Sequence, residues 1–178
     1  MVRGMLGGLS RIAVLLALPL AALAGLWPSA AEAATASAQV NVNIVKPLVL
    51  SATGTLNFGT IVVNNMTAPR TIALSPANVL SCGGGTPELV CSGVTSVPTY
   101  NVQGTNRAVV SIFKNVSLLT NSSDGTKLTL TPTGPASITL TNSGAPGENF
   151  AIGGSITLTP TTSAGLYSGV VNVTVDYQ

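Results

Sequence analysis

Residues 127–133 read KLTLTPT. Leu128 and Leu130 alternate with Thr129, Thr131 and Thr133. A period of two is that of a strand with one face buried and the other wet. Thr, being β-branched, suits the half-wet pleated face. The same chemistry returns as SITLTN at 137–142 and SITLTP at 155–160. These runs have no fixed spacing, so they are read as shared strand chemistry and not as a repeat.

Working outward, β-rich or alternating segments fall at 36–44, 48–52, 55–63, 70–75, 99–103, 108–113, 127–133, 137–141, 154–160 and 166–177. Gly, Pro and Asn separate them, at 52–54, 64–65, 104–106, 121–125, 133–135, 142–147 and 163–165. Short strands at this spacing predict an all-β sandwich or barrel. The stretch 77–93 is the least strand-like and is expected to form the main loop.

The first 33 residues stand apart. Arg3 and Arg11 precede an apolar run over 12–26, and Ala31-Glu32-Ala33 has the small-x-small form of a cleavage site. This predicts a secretory signal peptide over 1–33. The run is shorter than the roughly 20 residues a spanning helix needs, and Pro19 interrupts it. No Cys follows residues 23–25, where a lipoprotein signal would need one. The expectation is one exported domain over 34–178, with no integral membrane segment after cleavage.

That domain carries Lys46, Arg70, Arg107, Lys114 and Lys127 against Glu88, Asp124, Glu148 and Asp176, a balance of +1. Nucleic-acid binding needs clustered Lys and Arg, so it is not expected. A surface of Thr, Ser, Asn and Gly is weakly charged and poorly protected against self-association. Cys82 and Cys91 would be oxidised after export. Closing so short a loop contributes roughly 2.5–3 kcal/mol in the chain-entropy account. A metal site built on two thiols without a histidine would be a poor one.

Much chemistry is missing. The chain has no histidine, hence no Ser–His or Cys–His pair. An enzyme is not expected; its one route would be a facing pair made of Glu88 and Glu148. No glycine-rich phosphate loop is present, and no cofactor or metal is expected. The single Trp, Trp27, falls in the predicted signal peptide, which leaves no obvious sugar platform.

The ends of the domain carry the clearest functional pattern. In 36–44, Ala36, Ala38, Val40, Val42 and Ile44 alternate with Ser37, Gln39, Asn41 and Asn43. Lys46-Pro47 then punctuates the run. The chain closes with VVNVTVDYQ at 170–178. A free edge invites an extended segment from a neighbour, and such a donor needs period-two apolar residues at a free terminus.

Gly165-x-Tyr167-x-Gly169, leading into VVNVTVDYQ with Tyr177 penultimate, resembles the last strand of chaperone–usher fimbrial subunits (pilins). LNFGTI at 56–61 resembles an early strand of pilin-like and spore-coat-like secreted domains. VNIVKPLVL at 42–50, LNFGTI, GGSITLTP at 153–160 and GLYSGVVNVTVDY at 165–177 together resemble a family of small exported bacterial domains of unknown function. Cys82 and Cys91 depart from the pilin pattern, in which the disulfide has a much wider spacing.

The resemblance implies an immunoglobulin-like, pilin-like β-sandwich with Greek-key connections. It implies a groove-filling donor role for Val40, Val42 and Ile44, and chaperone and subunit contacts for Val171, Val173, Val175 and Tyr177. The partners would be other copies of the chain, a periplasmic chaperone and an outer-membrane usher. The expected function is a structural subunit of a bacterial surface fimbria or similar assembly, polymerising by donor-strand exchange after transit through the periplasm. The rival is a self-complemented monomer in the periplasm or medium, or an adhesin or ligand-binding module working through loops 77–93 or 142–150.

Overall fold

A computed structural model describes residues 33–83 and 87–178. Apart from Ala33, the predicted signal peptide lies outside the described residues, as do Gly84 and Gly85 of the cysteine loop. The contacts divide the chain between Asn41 and Val42. Residues 33–41 have no secondary structure and are exposed. From Val42 on, the described residues hold strands and no helix.

In chain order the strands are β1 (Val49–Thr53), β2 (Thr60–Val63), β3 (Arg70–Leu74), β4 (Leu80–Cys82) and β5 (Leu89–Ser92). There follow β6 (Thr99–Gln103), β7 (Val109–Lys114), β8 (Ser117–Asn121), β9 (Lys127–Thr133) and β10 (Ser137–Thr139). The last are β11 (Glu148–Ala151), β12 (Gly153–Leu158), β13 (Tyr167–Ser168) and β14 (Val173–Tyr177). They form a six-stranded sheet, β13-β8-β9-β12-β3-β4, two three-stranded sheets, β1-β6-β11 and β10-β7-β14, and the pair β2-β5. Every recorded pairing is antiparallel.

The alternation in KLTLTPT has its physical counterpart in β9. Leu128, Leu130 and Pro132 are buried, and the threonines between them face water. Successive strands such as β7–β8, β9–β10 and β13–β14 cross from one sheet to another. Two apolar clusters result. The first gathers Ile72, Leu128, Leu130, Ile156 and Leu158 on the inner face of the six-stranded sheet. The second gathers Tyr100, Val102, Val110, Ile112, Phe150 and Ile152, with Tyr100 and Phe150 stacked at 5.4 Å. Val171 packs against both.

Several expectations need correction. Residues 36–44 form no strand: they have the strand period but, among the described residues, no strand to pair with. The segment 55–63 is a strand only over Thr60–Val63, because Asn57 breaks off to bridge Ser96. The segment 166–177 is two strands, β13 and β14, interrupted at 169–172. The expected loop 77–93 contains β4 and β5, which Cys82 and Cys91 join by a disulfide with Cα atoms 6.0 Å apart. β8 and β11 arise where no strand was expected.

Candidate functional site: an apolar groove between two strand edges

An open groove of about 980 Å³ lies over the first cluster. Its floor is Leu119, Leu128, Leu130, Ile156 and Leu158, with Tyr100 at one end. One wall is the chain at 52–63 and the other the chain at 162–171. Each wall ends in a strand with a free edge. Among the described residues β2 pairs only with β5, and β13 only with β8.

The registers show which backbone groups are free. The Asn64 N–H donates to the Glu88 carbonyl, which sets the hydrogen-bonded pairs at Val62↔Val90 and Thr60↔Ser92. The N–H and C=O groups of Ile61 and Val63 therefore point away from β5. On the opposite wall the Ser122 N–H donates to the Leu166 carbonyl, so the peptide groups of Tyr167 point away from β8. Unpaired donors and acceptors thus line both sides of an apolar floor, as an added strand requires.

Each wall is braced. At 162–171, the buried Asn121 donates from Nδ2 to the Ala164 carbonyl at 3.1 Å and accepts from the Ser123 N–H at 2.9 Å. Gly165 lies against that amide at φ 151°, and a Cβ there would collide with the Asn121 side chain. The Tyr167 hydroxyl donates to the Ser163 carbonyl at 2.8 Å. On the other wall, Asn57 and Ser96 exchange two backbone bonds of 2.9 and 3.0 Å. The disulfide joins β5, the partner of β2, to β4 at the edge of the six-stranded sheet. It therefore fixes the wall as well as the loop. Arg70 adds a brace: its Nε donates to Glu88 Oε2 at 2.7 Å, and the Thr67 hydroxyl donates to Glu88 Oε1 at 2.9 Å. These bonds hold the Glu88 carboxyl below the usual carboxylate range, the Arg70 bond most of all.

Of the predicted donor residues, Val42 and Ile44 do not line this groove. Val40, Val42 and Ile44 are 90, 79 and 84% exposed, and Ala36 and Ala38 are exposed too. Val173, Val175 and Tyr177 lie half-buried on the inner face of β14, Val171 lies half-buried just before it, and all four pack on the second cluster. Among these, only Val171 also lines the groove. Tyr177 has a further contact that sequence reasoning missed. Its hydroxyl donates to the Lys46 carbonyl at 2.6 Å and accepts from the Thr105 N–H at 2.8 Å. The Lys46 N–H in turn donates to Thr105 Oγ1 at 2.7 Å.

Glu88 and Glu148 are engaged locally, Glu88 with Arg70 and Thr67, and Glu148 with the Thr141 hydroxyl. No cluster of three or more His, Cys, Asp and Glu that could hold a metal ion occurs among the described residues. No described helix is long and apolar enough to cross a membrane.

Residues 48–177 match the family described as a domain of unknown function (DUF4402), and the chain belongs to that family. No curated protein and no solved structure matches it.

Proposed function

We propose that this protein is an exported structural subunit that assembles with copies of itself by strand exchange. In this reading the domain is an immunoglobulin-like sandwich with Greek-key connections, short of one strand along the seam between residues 52–63 and 162–171. The observation that carries the reading is the groove, whose apolar floor lies between two unpaired backbone edges. Residues 36–44 of a neighbour match it in three ways. They alternate apolar and polar with period two, they are exposed, and nine residues span about 30 Å at roughly 3.3 Å each.

The energetics are sufficient. Burying Val40, Val42 and Ile44 is worth roughly 1.5–3 kcal/mol each. Each backbone hydrogen bond adds about 0.5–1.5 kcal/mol. The sum is comparable with the whole stability of a typical domain, roughly 5–15 kcal/mol. A seated donor would therefore leave slowly. Export through the periplasm to a surface fimbria, with a chaperone covering the groove in transit, fits a subunit that cannot complete its own core. A self-complemented monomer is the rival, and the exposure of Val42 and Ile44 weighs against it.

Val42→Asp in the full chain is the test. The carboxylate meets only solvent in the lone subunit but an apolar floor after exchange. Fibres counted by electron microscopy should vanish while the subunit folds normally. Fibres at the level of the unaltered chain would refute the reading.

A further inference from the structure

The apolar groove leaves one question: why should residues 36–44 enter the groove of another copy and not their own? We infer that Lys46, Thr105 and Tyr177 form a clamp that holds the chain against folding back, and so presents the segment to a second copy. This inference rests on the strand-exchange reading above.

Self-insertion needs a reversal immediately before β1. Pro47 opposes it, since a residue before proline is held extended and proline offers no N–H to close a turn. The clamp adds to this. Both backbone polar groups of Lys46 are engaged, the N–H by Thr105 Oγ1 at 2.7 Å and the carbonyl by the Tyr177 hydroxyl at 2.6 Å. The two partners come from separate elements, the β6–β7 loop and the last strand, and are bonded to each other, so both backbone groups of Lys46 are fixed to one linked site on the body. Turning it would break both bonds.

The clamp is itself built in. Tyr177 is half-buried on the second cluster, with Leu48 beside it. Gly104 permits this approach, because a Cβ there would stand 2.5 Å from the Tyr177 hydroxyl and 2.8 Å from Leu48 Cδ2. The groove wall begins only at Ala52. A segment released outward at Lys46 must return over six residues, about 20 Å, to reach it.

The test is limited proteolysis of the dilute monomer with a non-specific protease, following cleavage within 34–45 by mass spectrometry. Thr105→Val removes the acceptor for the Lys46 N–H, and Tyr177→Phe removes the hydroxyl while keeping the ring. Thr105→Ser keeps the acceptor and serves as the folding control. In the unaltered chain and in Thr105→Ser the segment should be cut while the body survives. In Thr105→Val and Tyr177→Phe the protected fraction should rise about fivefold, the factor that one net hydrogen bond supplies. Cleavage of both variants at the unaltered rate, with the body intact, overturns the clamp. If the variants gain protection but the unaltered chain never polymerises, the clamp stands and the strand-exchange reading falls.

Discussion

The seam between the N-terminal strands β1–β2 and the C-terminal strands β13–β14 is closed along one half and open along the other. In the closed half Leu48 and Leu50 share a cluster with Val173, Val175 and Tyr177, and the Tyr177 hydroxyl holds Lys46. In the open half the walls stand apart over Leu128, Leu130, Ile156 and Leu158. Both halves are made from the same kind of residue, aliphatics on strands of period two. The difference lies in what spans the seam, which is side chains in one half and nothing from the described chain in the other. Hydrophobic content alone therefore does not tell a closed seam from an open one.

The sharpest way to break this comparison is to truncate one buried side chain in each half. Ile152, fully buried in the closed cluster, should lose about 2–5 kcal/mol on Ile152→Ala, read by denaturant titration of the monomer. Leu128 borders the groove, so Leu128→Ala should fall at the low end of that range in the monomer. It should take its full cost only in the assembled form. Equal losses in both states would mean that the groove is never filled.

Removing the disulfide with Cys82→Ser and Cys91→Ser should cost roughly 2.5–3 kcal/mol. Because Cys91 lies on the partner of β2, hydrogen exchange should quicken in β2 and β5 and stay unchanged in β14. Uniform quickening across the domain would show that the bridge acts on global stability alone.

The smallest effect is that of pH. Arg70 and Thr67 hold the Glu88 carboxyl low, and the Thr126 N–H and hydroxyl do the same for Asp124. A carboxyl with a lowered folded pKa stabilises above its ordinary value, about 4, and loses that contribution as pH falls through the lowered one. With no histidine in the chain, no side chain has its ordinary titration between pH 5 and 8. Tm should be flat across that interval and decline below about pH 4. A step near pH 6 to 7 would contradict this.

Where alternation and local turns dominate, the fold was legible in the sequence. β6 and β9 match their expected bounds to the residue, and β3 nearly so. Of the missed strands, β8 pairs in a hairpin with the next strand, β9, and β11 depends on the distant β6. In β8, adjacent Leu118 and Leu119 break the period; Leu118 is 58% exposed, and pairing with β9 makes the strand. β11 opens with Glu148 and Asn149 and is held through Phe150, which stacks on Tyr100 far back in the chain. The donor-like alternation of Val40, Val42 and Ile44 was visible at once. The groove was not, because alternation does not reveal which edges stay unpaired. Tyr177 stood out as penultimate, but its bond to Lys46 spans 131 positions and leaves no local signal.

The most direct measurement is SDS gel electrophoresis of the exported protein, boiled and unboiled, for the full chain and for a deletion of residues 34–44. Strand exchange should give an unboiled ladder of multiples that collapses to monomer on boiling and disappears with the deletion. A single monomer band from the full chain under both conditions, or a ladder that survives the deletion, would contradict the claim that residues 36–44 of one copy complete the open half of the next.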